Sequence, residues 1–201
     1  MQTYNTTLLY LILSTPTFQP IYLRADRVDA PREWKYQRLA GLTFLLGAIA
    51  WGWHCVKDEG RGTYTGLILL WAAPVLLMLW CFAYQLILGL PLTNTLLPIM
   101  LPTLYLWIVD TLALRRGTWV ISPGTKFGVH LWDGLEVEEA LFFLLTNTLI
   151  VFGQVAFDNA LAVLYTFPDL FPNPPLVPSP SILMRALLTP CSRYDLSLIH
   201  I

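Results

Sequence analysis

The residues best suited to chemistry in this chain are carboxylates that lead directly into an apolar helix. In the stretch 131–147 four acids precede an uncharged run from Ala140 to Phe157, and they are Asp133, Glu136, Glu138 and Glu139. On a helix, residues three, four, seven and eleven positions apart share a face. The spacing therefore predicts one stripe of acid, aromatic ring and amide at the mouth of a membrane segment, formed by Glu136, Glu139/Ala140, Phe143 and Asn147.

Such acids are suited to general acid-base catalysis. Burial favours the neutral form of a carboxyl group, and two adjacent carboxylates resist double ionisation, so a cluster can hold one protonated acid beside an ionised base. The alternative is that the acids only complement the positive N-terminus of the helix in headgroup water. That alternative explains one or two acids well, but it explains three acids crowded against Phe142 and Phe143 less well.

A fifth acid, Asp110, lies about one helical turn before Arg115 and Arg116. Two interpretations are open: an interfacial residue paired with one of these arginines, or a group that faces the interior, where ionisable residues are rare and mark functional sites. Pro98 and Pro102 precede it in the same predicted helix. Membrane proteins tolerate such breaks chiefly where a helix lines a cavity, which favours the second interpretation.

The composition indicates an integral membrane protein. Of 201 residues, 56% are hydrophobic and 12% are charged, about half the charged share of a typical soluble domain. The net charge of −1 provides no basic field for nucleic acid. The three cysteines are far apart and no Cys-x-x-Cys or Cys/His cluster occurs, so neither a disulfide nor a metal site is predicted. No G-x-G-x-x-G signature occurs, so no nucleotide cofactor is expected.

The predicted fold class is all-α, a polytopic transmembrane helix bundle with about four complete spans plus a partial first helix. A complete span needs roughly 20 apolar residues, and Tyr4–Leu13 is too short for one. The complete spans are predicted at Tyr36–Cys55, Tyr64–Leu88, Asn94–Leu114 and Glu136–Phe157. Asn159–Tyr165 is predicted as a separate short apolar piece.

The segment that follows is rich in proline. Phe167–Ser181 is predicted as an extended, semi-rigid connector. The segments assigned to the side of this tail contain seven Lys and Arg residues, and those assigned to the opposite side contain five. This bias predicts a multi-pass protein whose C-terminal tail is cytosolic.

Three motifs carry a resemblance to a known family. Val109-Asp110, Arg116-Gly-Thr-Trp119 and the stretch 135–147 together resemble the second repeat of the membrane lycopene cyclases, and the proline-rich connector resembles that of the fungal bifunctional lycopene cyclase/phytoene synthases. In that family an aspartate leads to a Gly-x-Trp loop and then to a Glu-Glu-x-x-Phe-Phe helix that ends in Gln-Thr or Thr-Asn. The matching residues here are Asp110, Gly117, Trp119, Glu138, Glu139, Phe142, Phe143, Thr146 and Asn147.

The resemblance implies a division of the chain. Residues 1–167 would be an incomplete cyclase membrane domain, 168–181 the connector, and 182–195 the start of a phytoene synthase domain; 196–201 match the translation of a common sequencing adapter and are interpreted as read-through. The first repeat's Pro-Trp-Asp motif and Glu-Glu pair would precede Met1. The chain alone is therefore expected to be inactive and to need the missing repeat or self-association.

The implied reaction is acid-base cyclisation of lycopene, a lipophilic substrate met in the bilayer. Glu138 and Glu139 are the first candidates for acid and base and Asp110 is the second, with the two roles unassigned among them. The candidates for contact with the substrate and its cation are Phe142, Phe143, Asn147 and Trp119. A membrane prenyltransferase would need Asp-x-x-x-Asp motifs, and none occurs. A transporter or channel subunit remains a second explanation for Asp110.

Overall fold

The protein is described here by a computed structural model, which covers residues 6, 33–58, 60–90, 92–117, 124–167, 169, 170 and 172. These residues form four long helices and one small hairpin. The elements are α1 (Glu33–Lys57), α2 (Thr63–Gly89), α3 (Leu92–Arg115), β1 (His130–Trp132), β2 (Leu135–Glu136) and α4 (Val137–Thr166). Each helix contains an apolar segment long enough to cross a membrane. The predicted all-α, polytopic bundle is confirmed.

The last helix joins the other helices into one bundle. α1 packs against α2, while α4 packs against both α2 and α3. α1 and α2 approach closely where Gly52 and Gly66 face each other, since a Cβ at Gly66 would lie 2.7 Å from the Gly52 carbonyl oxygen. Small residues at such a contact let two membrane helices meet backbone to backbone.

The apolar core lies toward the α2–α3 turn. Residues of three helices form it, namely Ala83, Leu86, Ile87, Leu90, Ile99, Val151 and Val155. Large apolar side chains on the outer faces, such as Phe44 and Phe82, are exposed. That pattern is expected of a bundle whose surrounding solvent is lipid rather than water.

Consecutive helices run in opposite directions, so the ends of all four helices lie in two layers. The α1–α2 turn meets the segment that precedes β1, since the backbone N–H groups of Gly62 and Tyr64 both donate to the Thr125 carbonyl, at 3.0 and 3.2 Å. The end of α3 and the start of α4 lie in this same layer. The α2–α3 turn lies in the opposite layer.

The structure corrects the predicted bounds of the last helix. α4 continues to Thr166, so the predicted end at Phe157 and the separate piece 159–165 are wrong. Asp158 is buried, and the Asn159 side-chain amide donates to the Phe82 carbonyl at 3.2 Å. These two polar residues therefore serve contacts made by the helix and do not end it.

The start of α4 differs as well. Glu136 belongs to β2, which pairs with β1 in an antiparallel hairpin, and the helix begins at Val137. The predicted helical stripe of Glu136, Glu139/Ala140, Phe143 and Asn147 is therefore wrong at Glu136, which is not helical. The remaining expectations for Tyr4–Leu13 apart from Thr6, for most of the connector and for 182–201 fall outside the described residues.

Candidate active site: a buried carboxyl cluster

Three carboxyl groups converge where α3 ends and α4 begins. Asp110 comes from the last turns of α3, and Glu138 and Glu139 come from the first turn of α4. Their exposed fractions are 2%, 1% and 6%. A helix N-terminus favours negative charge, but these acids lie inside the protein and not in headgroup water. Complementation of the helix dipole in water therefore does not describe them.

Asp110 and Glu139 form a pair. Their carboxyl groups lie within hydrogen-bonding reach of each other, and no donor among the described residues serves either oxygen of Asp110 or Oε1 of Glu139. An ionised carboxylate only accepts hydrogen bonds. A hydrogen bond between the two groups therefore requires a proton on one of them, an arrangement suited to holding and passing one proton.

The arginine that follows Asp110 in the chain binds a different acid. Arg115 Nη2 lies 3.0 Å from Asp133 Oδ2 and donates to the Asp133 carbonyl at 3.1 Å. Asp110 itself faces the interior. Of the two interpretations of Asp110, the interfacial pair with Arg115 is therefore wrong.

Glu138 has a different partner from its neighbour. Its Oε1 accepts a hydrogen bond from the backbone N–H of Phe127 at 2.6 Å. Beside it, Lys126 forms an ion pair with Glu136, and both side chains are largely buried. Phe127 and Lys126 were not predicted as site residues. The sequence of a glycine-rich loop does not indicate which of its backbone N–H groups will bond a carboxylate.

An aromatic wall adjoins the carboxyl groups. The Phe142 ring stacks on Trp71 with centroids 5.7 Å apart, and it meets the edge of Phe143 at 5.6 Å. Trp71 was missed by the sequence analysis. It lies seven residues after Tyr64 on the same face of α2. This spacing indicates a contact with Phe142 only when the packing of α2 on α4 is known.

A second aromatic pair fixes the α3–α4 contact. Trp107 donates its indole N–H to the Ala140 carbonyl at 3.0 Å and lies edge-on to Trp132 at 5.7 Å. Trp132 in turn donates to the Thr111 hydroxyl at 2.9 Å. These bonds set Asp110 against the first turn of α4. Trp119, the remaining aromatic candidate, falls outside the described residues.

Asn147 lies about two helical turns deeper than the carboxyl groups. Its Oδ1 accepts from the Thr6 hydroxyl at 2.9 Å, and its Nδ2 donates to the Thr103 hydroxyl at 2.8 Å. All three side chains are fully buried. The amide therefore joins separate parts of the bundle, while its predicted contact with a substrate stays a prediction.

These features define a polytopic membrane protein with an internal carboxyl cluster beside an aromatic wall. Comparison with known proteins then places the sequence. It is 74% identical over 195 residues to the bifunctional lycopene cyclase/phytoene synthase of Leptosphaeria maculans. The matched region covers 97% of the chain and 34% of that protein. The protein of the same name from Pyrenophora tritici-repentis is 74% identical over 194 residues, covering 96% and 33%. The one from Neurospora crassa is 43% identical over 200 residues, covering 100% and 33%.

The chain thus spans about a third of the length of the curated relatives that it matches. Over that third, its sequence is similar to those of the fungal bifunctional lycopene cyclase/phytoene synthases. No protein-family profile matches the chain. No solved structure matches it either.

Proposed function

We propose that the chain is part of a membrane lycopene cyclase of carotenoid biosynthesis, in which Asp110 and Glu139 form the acid-base pair and Glu138 lies beside them in the same buried cluster. The observation that carries this proposal is the buried pair of Asp110 and Glu139, in which both Asp110 oxygens and Glu139 Oε1 have no donor from any other described residue. The names of the relatives supply the substrate class. Apolar membrane helices suit a hydrocarbon substrate that arrives through the bilayer.

The proposed reaction is an isomerisation driven by one proton. A protonated carboxyl of the pair donates its proton to the terminal double bond of lycopene and leaves a tertiary cation. A neighbouring double bond of the substrate attacks this cation, which forms the carbon–carbon bond of the ring and moves the charge onto the ring. The ionised carboxyl removes a ring proton, which restores a double bond. One proton enters and one leaves, so no oxidant or reductant is needed.

The surrounding residues are suited to protecting the cation. Aromatic faces stabilise a cation by roughly 0.5 to 2 kcal/mol each. Phe142 and Phe143 follow Glu139 by three and four residues on the same face of α4, and Phe142 stacks on Trp71. The nearby basic side chain, Lys126, forms an ion pair with Glu136. The second activity in the relatives' names, phytoene synthesis, would lie outside residues 1–167.

The test uses a chimera because the chain spans only part of its relatives. Residues 1–195 replace the matching segment of the Leptosphaeria maculans protein, and the chimera is expressed in bacteria that accumulate lycopene. We expect cyclised product from the unsubstituted chimera. The double variant Glu138→Gln/Glu139→Gln should lose it by at least about 100-fold, the scale of general acid-base catalysis. Liquid chromatography of the extracted carotenoids measures both.

The control is Asp133→Asn, whose side chain is exposed at the surface and whose change should leave the product yield unaltered. Immunoblotting of membranes must show equal amounts of all variants. Full cyclisation by the double variant would contradict the acid-base assignment. An unsubstituted chimera that accumulates in membranes without cyclising lycopene would favour the transporter alternative. The 201-residue chain on its own is expected to form no ring.

A further inference from the structure

The segment 124–129 covers the carboxyl cluster from the layer of helix ends. Its backbone is bonded to two helices, through Thr125 to the start of α2 and through Phe127 to Glu138 of α4. The Phe127 ring also stacks on Trp51 of α1, at 6.3 Å and an interplanar angle of 4°. Most of the segment is exposed, while the acids beneath it are buried. It is therefore an outer layer between the cluster and the surrounding water.

A glycine shows how closely this layer is seated. Gly62, with φ of 113°, lies under the Phe127 ring, and a Cβ at this position would approach the ring to 2.6 Å. The positive φ and the close contact both require glycine here. The α1–α2 turn thus accepts the ring of the covering segment in a defined position.

The bonding of Glu138 separates it from the other two acids. A backbone N–H can only donate, so Glu138 Oε1 is the acceptor that holds Phe127, while Glu138 Oε2 has no hydrogen-bond partner among the described residues. Asp110 and Glu139 have each other as partners and no competing donor among the described residues at Asp110 Oδ1, Asp110 Oδ2 or Glu139 Oε1. Among the three acids, Glu138 is therefore the one whose hydrogen bond ties the cluster to the segment.

We propose that Glu138 is a positioning residue that holds segment 124–129 over the Asp110–Glu139 pair and thereby keeps water from the carbocation. The inference rests on the proposed cyclase function and assigns separate roles within its site. Exclusion of water from a reactive intermediate prevents its hydrolysis. The expected consequence of opening the segment is specific. Water adds its oxygen to the tertiary cation, its released proton goes to the ionised carboxyl, and the product is an acyclic tertiary alcohol.

The experiment compares two substitutions of Glu138 with one of Glu139 in the same chimera. Glu138→Gln keeps an oxygen that can accept from the Phe127 N–H, so ring formation should stay within about threefold of the unsubstituted chimera. Glu138→Ala removes the acceptor, and ring formation should fall at least tenfold while the tertiary alcohol appears. Glu139→Gln should yield neither ring nor alcohol, because the first protonation is lost. Mass spectrometry of the carotenoids distinguishes the products.

Hydrogen–deuterium exchange measures the segment independently of activity. Peptides that contain Phe127 should exchange faster in Glu138→Ala than in Glu138→Gln, which should match the unsubstituted protein. The proposal is overturned if Glu138→Gln is as inactive as Glu139→Gln, or if Glu138→Ala loses ring without forming alcohol. If Glu138→Ala does not accumulate, the contrast between the two glutamine variants decides alone. Normal ring formation by Glu139→Gln would instead refute the proposed function.

Discussion

At the residue scale, the partners of each acid distinguish groups that the sequence presents as equals. Glu138 and Glu139 are adjacent, so on a helix of 3.6 residues per turn they point about 100° apart. One therefore reaches a backbone N–H of the covering segment, while the other reaches Asp110. The sequence predicted that acids would gather here. It could not predict the pairing, because Asp110 and Glu139 are brought together only by the packing of α3 on α4.

The aromatic wall gives a residue-scale prediction. Phe142 lies between Trp71 and Phe143, and loss of one aromatic face should cost roughly 0.5 to 2 kcal/mol of cation stabilisation. We expect Phe142→Leu to slow cyclisation about 2- to 30-fold, while Phe142→Tyr, which keeps the face, stays near the unsubstituted rate. Initial rates of ring formation in membranes of the chimera measure this. Equal rates for the leucine and tyrosine variants would show that the ring only fills space.

At the element scale, buried hydrogen bonds hold the helices in register. The Asn147 amide bonds Thr103 of α3 and Thr6 at the same time, and the Thr103 hydroxyl donates to its own helix at the Ile99 carbonyl, 2.6 Å away. Polar groups inside a membrane bundle need such partners because lipid supplies none. Asn147 thus fixes the depth at which α4 sits against its neighbours, and with it the position of Glu139 two turns above.

Replacement of this amide should loosen the bundle. Asn147→Leu removes two bonds worth about 0.6 kcal/mol each, so the melting temperature of the 201-residue protein in detergent should fall by roughly 2 to 5 °C. The matched control is Thr148→Val, since the Thr148 hydroxyl bonds only its own helix at the Leu144 carbonyl. A shift of the same size in both variants would mean that the contact of Asn147 with its partners adds nothing to stability.

Helices were easier to predict than their ends. All four spans followed from apolar runs of sufficient length. The end of α4 was misplaced because Asp158 and Asn159 resemble solvated residues, yet Asp158 is buried and Asn159 bonds α2. The hairpin was not predicted because strands of three and two residues are too short to show alternation. Contacts with residues distant in the sequence determine both the end of α4 and the hairpin, and the local sequence does not reveal such contacts.

At the scale of the whole molecule, the bundle is asymmetric across the membrane. The carboxyl cluster lies in the layer of the α1–α2 turn and the hairpin, while the end of α4 lies in the other layer. The segments that the sequence assigns to the side of the C-terminal tail contain seven basic residues, Arg24, Arg27, Arg32, Lys35, Arg38, Arg185 and Arg193. The layer of the cluster holds five, Lys57, Arg61, Arg115, Arg116 and Lys126. An excess of Lys and Arg marks the cytosolic side, so the cluster is expected on the opposite side.

Single cysteines can test this orientation. In a variant of the 201-residue chain with Cys55, Cys81 and Cys191 changed to serine, Asp133→Cys or Leu170→Cys adds one thiol to an exposed position on either side of α4. In intact bacterial spheroplasts, a membrane-impermeant maleimide should label only the Asp133→Cys protein, and permeabilisation should expose both. The reverse pattern would contradict the charge argument, and labelling of both before permeabilisation would show that α4 does not cross the membrane. The predicted orientation turns the covering segment away from the cytosol, so a hydrocarbon substrate would reach the Asp110–Glu139 pair laterally, between helices whose outer faces are already apolar.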